Sequence, residues 1–307
     1  MKSGLVLKTT GSRYTIRDND GKIYFCSIRG KLRLKGVKTT NPITVGDYVD
    51  FEVDEGDVGA ISRVHDRKNY IIRRSTNLSR ESHVIAANLD QTLLIITIEF
   101  PETQLAFIDR YLVTAEAYRI PTTLVFNKTD LYTDEMIAKL NDYISIYSKI
   151  GYPCIQVSAE TGQNLAELRN ILTGKVSLIS GNSGVGKSTL INKISPELNL
   201  KTELISSYHL MGKHTTTFSE MFELSFGGFI IDTPGIKGFG LVDIENDELY
   251  HYFPEIFKIA SDCKFYNCTH IHEPGCAVIR AVDEGVISPS RYISYLSIHD
   301  DDNEKYR

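Results

Sequence analysis

The sequence has no long apolar run, and this absence restricts what the protein can be. No window of the 307 residues approaches the roughly 18 apolar residues that a membrane-spanning helix requires. The first twenty residues also lack the sustained apolar region of a secretion signal. We therefore expect a cytoplasmic protein that spans no membrane. Its 42% hydrophobic and 24% charged residues are typical of a globular chain long enough for two or three domains.

Cysteine is also scarce, and its five positions do not suggest a disulfide framework. Cys26 and Cys154 are isolated, whereas Cys263, Cys268 and Cys276 fall within fourteen residues. In a chain without a secretion signal, such a cluster indicates a metal site more often than a set of disulfides.

Charge is unevenly distributed along the chain. Residues 1–75 hold 15 Lys and Arg against 9 Asp and Glu, a net charge of +6, and the remainder carries 19 against 30, a net charge of −11. A basic front end favours contact with an anionic partner, although a solvated surface would have the same composition.

Residues 1–72 predict a small all-β domain. Short stretches of alternating apolar and polar residues are broken by turn signals such as Asn19-Asp20-Gly21. A five-stranded OB-type β-barrel fits this pattern, and such barrels commonly bind oligonucleotides. The basic segment 29–38 would then be available to phosphates, the alternative being an exposed loop with no special role.

Residues 73–240 predict an α/β domain. Apolar runs at 90–100, 122–130, 153–161 and 175–183 each end in polar or glycine residues, and segments of helical spacing separate them. Buried strands that alternate with helices indicate a parallel sheet, and ligands bind such sheets at the carboxyl ends of the strands.

A phosphate-binding loop follows the last of these runs. Residues 181–188, GNSGVGKS, match the pattern G-x-x-x-x-G-K-[ST] between a predicted strand and a predicted helix. Glycines let successive backbone N–H groups surround an anion, Lys187 reaches the terminal phosphates, and the Ser188 hydroxyl coordinates Mg²⁺. The expected phosphate contacts are Gly181, Asn182, Ser183, Gly184, Val185, Gly186, Lys187, Ser188 and Thr189.

The motif NKTD at 127–130 predicts recognition of guanine. The Asp130 carboxylate can accept hydrogen bonds from N1–H and N2–H of guanine, which adenine cannot offer, so the motif selects GTP over ATP. Lys128 would lie along the base, and Asn127 would brace the loop. In the segment SAET at 158–161, the Ala159 N–H would donate to guanine O6. The residues expected at the base are Asn127, Lys128, Thr129, Asp130, Ser158 and Ala159.

The remaining GTPase elements follow the phosphate loop. Asp232 ends an apolar strand and is positioned to hold Mg²⁺, and the N–H of Gly235 can face the γ-phosphate. Thr215, Thr216 or the adjacent threonine could complete the magnesium shell, and spacing does not choose among them. Because the base-reading motif precedes the phosphate loop, the order of the elements indicates a circularly permuted GTPase domain.

A water-positioning glutamine is missing. Ile236 stands directly after the motif DTPG at 232–235, and Ras-like enzymes have a glutamine near this position. We therefore expect slow intrinsic hydrolysis that a partner accelerates. His214 is a candidate internal substitute, the alternative being a solvated loop histidine.

Residues 241–307 predict a mainly helical, zinc-binding domain. The spacing C-x4-C-x-H-x5-C supplies three thiolates and one imidazole, a set that suits a closed tetrahedral structural Zn²⁺. We favour His270 over His272 as the fourth ligand, and three buried thiols without metal remain the alternative. The segments on either side read as short polar helices, interrupted near Pro289, that need the metal or a neighbouring domain to fold.

Together these motifs resemble the bacterial RsgA (YjeQ/YloQ) family of circularly permuted GTPases over almost the whole chain. The resemblance implies an OB-fold, a GTPase domain stimulated by the small ribosomal subunit during its late maturation, and a zinc domain. It implies small-subunit contacts on the barrel and the zinc domain. It also implies zinc ligands at Cys263, Cys268, His270 and Cys276. Lys213 stands where many relatives carry arginine, which should be harmless.

We therefore expect a monomeric GTPase that uses GTP/GDP, Mg²⁺ and one structural Zn²⁺. It would bind the small ribosomal subunit and its rRNA, and hydrolysis would release it. One alternative is an RNA-binding assembly scaffold that needs GTP only for its structure. A P-loop ATPase or kinase is a third alternative, which NKTD disfavours.

Overall fold

The computed structural model describes residues 1–28, 42–53, 56–74, 82–200, 220–232 and 244–304. Within these ranges the chain forms an N-terminal barrel, a central sheet flanked by helices, and a C-terminal group of helices. In this part of the chain, no helix combines the length and the apolar composition that a membrane span requires.

The N-terminal strands close into a barrel. They are β1 (Lys2–Thr10), β2 (Arg13–Asp18), β3 (Ile23–Ile28), β4 (Tyr48–Val53) and β5 (Val58–Val64). Antiparallel ladders join β1 to β2, β2 to β3, β4 to β5 and β1 to β4, and a parallel ladder joins β3 to β5. Each strand thus has at least two neighbours, which confirms the five-stranded OB-type barrel.

Alternation and turn chemistry explain the barrel strands. Tyr14, Ile16, Tyr24 and Cys26 point into its buried core, while the residues between them face outward. The predicted turn between β2 and β3 is fixed by Asp18, whose carboxylate accepts hydrogen bonds from the backbone N–H groups two and four residues later, at 3.0 and 2.9 Å.

A small hairpin and then the central sheet follow the barrel. The hairpin pairs β6 (Tyr70–Arg74) with β7 (Ser82–Ala87). The sheet strands are β8 (Gln91–Ile96), β9 (Thr122–Phe126), β10 (Cys154–Gln156), β11 (Val176–Ser180), β12 (Glu220–Glu223) and β13 (Phe229–Asp232). Their spatial order is β10-β9-β8-β11-β13-β12, and all pairings are parallel except that of β12 with β13. The sheet confirms the predicted parallel strands, and Asp232 ends an apolar strand as predicted.

Helices cover both faces of this sheet. They are α1 (Leu105–Ala117), α2 (Asp134–Ile150), α3 (Leu165–Leu172) and α4 (Lys187–Ile194). All six residues of β8 are buried, with Leu94 and Ile96 packed toward α1 and α2, and Leu93 and Ile95 packed toward α3 and α4. Burial on both faces explains why these strands read as continuous apolar runs.

Among the described residues, one β-bridge joins the barrel to the central sheet. Lys8 of β1 pairs with Glu220 of β12, and their side chains form an ion pair at 2.9 Å. A second ion pair joins Arg17 to Glu223 at 3.1 Å. The barrel is therefore attached to the hairpin of β12 and β13.

The C-terminal helices pack against α1. They are α5 (Pro254–Ala260), α6 (Ala277–Asp283) and α7 (Pro289–Glu304). Leu249, Phe253, Ile256 and Tyr295 form their shared core, which also takes in Val113 of α1. The mainly helical C-terminal region and the interruption before Pro289 agree with the sequence prediction.

Candidate functional site

The carboxyl edge of the central sheet gathers the predicted nucleotide-binding residues. β9 is followed directly by Asn127, β10 shortly by Ser158, and β11 directly by Gly181. Asp232, the last residue of β13, is in register with Ile179 of β11. Four segments far apart in the chain therefore meet at the edge where ligands bind to parallel sheets.

The phosphate loop has the backbone conformation that its glycines allow. Gly181, Gly184 and Gly186 have φ angles of 141°, 83° and 95°, a region that side-chain-bearing residues rarely occupy. A Cβ atom on Gly186 would lie 2.4 Å from the side-chain nitrogen of Asn127. Glycine is thus required at position 186 both by the positive φ angle and by the close approach of residues 127–130, the base-reading loop.

Lys187 and Ser188 begin helix α4 at the end of this loop. The Lys187 ammonium donates hydrogen bonds to the carbonyl oxygens of Gly181 and Asn182, at 2.8 and 2.7 Å. Ser188 is buried in the first turn of the helix. Val185 is buried, whereas three other predicted contacts are exposed: Ser183, Gly184 and Thr189. An ammonium and the N–H groups of a first helical turn together suit a phosphate group.

Two side chains join the base-reading loop to the phosphate loop. The buried Asn127 amide donates to the Val185 carbonyl at 2.8 Å, and the Lys128 ammonium donates to the Gly184 carbonyl at 2.7 Å. Lys128 itself has a left-handed backbone, with φ of 64°. The two loops are therefore mechanically connected.

Asp130 is held in place by Ser158. The Ser158 hydroxyl donates to an Asp130 carboxylate oxygen at 2.5 Å, and it accepts from the Thr161 N–H at 3.1 Å. Asp130 is exposed, while Ser158 and Ala159 are buried. An exposed carboxylate held by a buried hydroxyl can accept the two N–H groups of a guanine edge.

The structure adds two supporting residues that the sequence prediction missed. The Tyr132 hydroxyl donates to the Asn127 carbonyl at 2.7 Å, and burial raises the pKa of Tyr132, so the hydroxyl keeps its proton. Gln163 accepts from the Ser158 N–H at 3.2 Å, and its side chain contacts the Thr129 hydroxyl at 3.0 Å. The sequence could have indicated these residues only because Tyr132 lies close to NKTD and Gln163 lies close to SAET.

Several predicted residues lie outside the described part of the chain. They are His214, Thr215, Thr216 and Gly235, and the basic segment 29–38 falls there as well. Their proposed roles remain predictions.

A second cluster, in the C-terminal region, has the geometry of a metal centre. The ligand atoms of Cys263, Cys268, His270 and Cys276 all lie within 4.8 Å of one another. Nδ1 of His270 is 3.5 Å from Sγ of Cys263 and 3.6 Å from Sγ of Cys276, and the two Sγ atoms are 3.9 Å apart. A tetrahedral zinc ion with bonds of about 2.3 Å to sulfur and 2.0 Å to nitrogen separates its ligands by roughly 3.5 to 3.8 Å.

The charge state of these ligands also suits a cation. Burial lowers the pKa of His270, which favours the neutral imidazole that binds metals. Burial raises the pKa of Cys268 to about 12, so its thiolate requires a positive partner. The cluster therefore fits zinc, and it selects His270 over His272.

Side chains around the cluster fix its loop. The Tyr292 and Tyr295 hydroxyls of α7 each donate at 2.7 Å, to the carbonyl oxygens of His270 and Thr269. The Glu273 carboxylate accepts from the Thr269 N–H at 2.7 Å and from its hydroxyl at 2.5 Å. Burial alone would raise the pKa of Glu273, but these and neighbouring backbone hydrogen bonds hold it well below its usual range. The loop is built around the cluster rather than loosely attached.

Comparison with known families and proteins agrees with this geometry. The family model described as "RsgA GTPase" matches residues 64–242, and the model described as "RsgA N-terminal domain" matches residues 3–61. Curated relatives with the name "Small ribosomal subunit biogenesis GTPase RsgA" include one from Phocaeicola vulgatus and one from Bacteroides fragilis. The relative from Phocaeicola vulgatus is 57% identical, and one from Bacteroides fragilis is 55% identical, each over 99% of this chain and 98% of its own.

Two solved structures resemble the whole fold. The crystal structure of YjeQ from Thermotoga maritima has a TM-score of 0.79 at 36% identity and covers 98% of both chains. The crystal structure of YloQ, described as a circularly permuted GTPase, has a TM-score of 0.75 at 29% identity and covers 99% of this chain and 96% of its own. The permuted strand order is thus shared with solved structures.

Proposed function

This chain belongs to the RsgA GTPase family and is therefore a GTPase, and from that premise we propose that it acts in late maturation of the small ribosomal subunit. One structural observation carries the nucleotide part of this proposal. Ser158 presents Asp130 to the solvent beside a phosphate loop that Asn127 and Lys128 tie to the same edge. The names of the two relatives support the ribosomal part.

At the GTP site, each residue has one role. Asp130 and the Ala159 N–H read the guanine, Lys128 lies along the base, and Asn127 and Thr129 hold the base-reading loop. The phosphate loop and Lys187 bind the β- and γ-phosphates. Ser188 and Asp232 would hold Mg²⁺, and the ion would neutralise phosphate charge.

Hydrolysis depends on the remaining residues of the predicted GTPase motifs. One of Thr215, Thr216 and the adjacent threonine completes the magnesium shell, the Gly235 N–H serves the γ-phosphate, and His214 is the candidate substitute for the missing glutamine. Ile236 cannot orient this water, so the ribosomal partner supplies or organises the missing group. Intrinsic turnover is therefore slow.

The outer domains carry the ribosomal contacts. We assign residues 1–72 to an rRNA-binding barrel, 73–240 to the GTPase domain and 241–307 to the zinc domain. The metal-binding cysteines and histidine hold a structural Zn²⁺ that stabilises the third domain. The protein works as a monomer in the cytoplasm, and hydrolysis releases it from the subunit.

The test is GTP hydrolysis by the purified protein, with and without isolated small ribosomal subunits, with ATP as the control nucleotide. A large increase that is specific to GTP supports a partner-activated enzyme. Absence of any increase would contradict activation by the small subunit.

A second measurement separates a checkpoint from an assembly scaffold. With a non-hydrolysable GTP analogue, a protein released by hydrolysis should stay on the subunit through sedimentation, whereas GTP should allow it to leave. Equal retention with both nucleotides would refute release by hydrolysis and favour the scaffold.

A further inference from the structure

The loop that follows β8, residues 97–103, contacts both nucleotide-binding loops, although no motif marks it. The Lys128 ammonium donates to the Phe100 carbonyl at 2.5 Å as well as to the Gly184 carbonyl at 2.7 Å. The Ile98 N–H donates to the Tyr132 hydroxyl at 2.9 Å. This loop therefore adjoins the base-reading loop at two points and shares Lys128 with the phosphate loop.

Phe100 occupies an unusual conformation at this contact. Its φ angle is 63°, in the left-handed region that bulky side chains rarely adopt, and its side chain is 55% exposed. Such a backbone costs free energy and persists only where the surroundings determine it, which often occurs at ligand sites. Because the Phe100 ring is largely exposed, packing of the ring does not account for the unfavourable backbone conformation. The contacts of the backbone itself therefore need an explanation.

Neighbouring residues hold the loop in this shape. The buried Thr97 and Thr103 bond reciprocally, with Thr103 N–H donating to the Thr97 carbonyl at 2.9 Å and Thr97 N–H donating to the Thr103 hydroxyl at 3.3 Å. The Thr97 hydroxyl also donates to the Pro101 carbonyl at 2.5 Å. A Cβ atom placed on Gly184 would be 3.3 Å from the Pro101 ring, so the loop packs closely on the phosphate loop.

We propose that Phe100 is a positioning residue for guanine-nucleotide binding, because its left-handed backbone directs its carbonyl oxygen to the Lys128 ammonium. Lysine has three N–H donors on a flexible stem, and two fixed carbonyl partners restrict that stem before the nucleotide arrives. Restriction in advance lowers the entropy lost on binding. The inference rests on the proposed binding of guanine nucleotide at this edge.

The test compares substitutions that all remove the ring but differ in backbone preference. Phe100→Gly and Phe100→Asn tolerate a positive φ, whereas Phe100→Val does not. Affinity for a fluorescent GDP derivative is measured by titration of the full-length protein. We expect the glycine and asparagine variants to bind within about threefold of wild type and the valine variant about tenfold more weakly, a factor that corresponds to about 1.4 kcal/mol.

A double-mutant cycle shows whether Phe100 acts through Lys128. In a Lys128→Met background, Phe100→Val should change the affinity less than about twofold, because the ammonium that it positions is gone. A tenfold loss that persists in this background would overturn the proposal. Wild-type affinity of the valine variant would overturn it as well, and so would equal losses in all three Phe100 variants.

The outcomes also separate this inference from the proposed function. Failure of the wild-type protein to bind the GDP derivative would refute guanine recognition itself. Tight binding by wild type, with identical affinities across the Phe100 series, would refute only the positioning role. The proposal requires Phe100→Gly to keep its affinity for the GDP derivative although the whole side chain is lost. A role of the ring itself would predict a weaker affinity.

Discussion

Replacing Arg291 by methionine removes the cation that faces two carboxylates where the C-terminal helices pack against α1. Arg291, on α7, is fully buried and forms ion pairs with Asp109 of α1 at 2.8 Å and with Glu255 of α5 at 2.6 Å. Its guanidinium carbon is 4.6 Å from the centre of the Phe253 ring. Burial alone would lower the pKa of Arg291, but the two carboxylates raise it well above its usual range.

The expected cost follows from what the substitution leaves behind. Asp109 is fully buried and would keep the Tyr147 hydroxyl at 2.8 Å as a donor, while the Glu255 side chain is 11% exposed and can reach water. Removing one partner of a buried ion pair costs about 3 to 5 kcal/mol. The partial compensation places this case near the lower value, about 3 kcal/mol. At roughly 2 to 4 °C per kcal/mol, the melting temperature should fall by about 6 to 12 °C.

The assay is thermal unfolding of the full-length protein, with Arg280→Met as the matched control, because Arg280 lies on α6 and is exposed. The control should lose less than about 2 °C. Adding Asp109→Asn and Glu255→Gln to Arg291→Met removes the uncompensated charges and should recover at least about half of the loss. An unchanged melting temperature in Arg291→Met, or a triple variant less stable than the single one, would refute the reasoning.

Three further predictions concern the metal, the base and the barrel. Cys268→Ala should abolish stoichiometric zinc, measured by elemental analysis, and lower the helical circular dichroism of the protein; a full zinc content would contradict the ligand assignment. Asp130→Asn should shift nucleotide preference from GTP toward XTP in competition binding, because the amide can donate to the additional oxygen of xanthine, and unchanged preference would refute base reading by this residue. Hydrogen bonds from Ser3 and His65 hold the pKa of Asp50 below its ordinary value of 3.8. This stabilisation is present above pH 3.8 and is lost as the pH falls through the lower folded-state pKa, so Asp50→Asn should destabilise the barrel at pH 7, with a difference in melting temperature that shrinks below pH 3.8; a difference independent of pH would contradict it.

The elements that the sequence predicts best are those whose signal is local. The phosphate loop, NKTD and the cysteine cluster each place their chemistry within about fifteen residues, and the strands before the first two are buried on both faces. Apolar runs and turn residues therefore suffice to locate them. The ligand choice at His270 needed the structure, since spacing alone left His272 open.

Contacts between distant segments escape such reasoning. Nothing near Asp109 in the sequence indicates a partner at Arg291, and the contact depends on how α7 packs across α1. The carbonyl of Phe100 is likewise chemically identical to any other carbonyl, and its contact with Lys128 follows from the backbone conformation of a loop without a motif. Position in three dimensions, rather than residue type, gives both groups their roles.

The burial of Asp109 by Arg291 has a consequence for synthesis on the ribosome. The two residues are 182 positions apart, so at about 5 to 20 residues per second α1 would wait roughly 10 to 40 s for its charged partner to be made. Until then the Asp109 carboxylate stays hydrated, and the face of α1 that α7 later covers is open. The barrel and strands β9 and β10 can form during this interval, whereas the final docking needs the last helix. A chain released before α7 is made would thus lack its C-terminal end and would also leave the α7-facing surface of α1 uncovered.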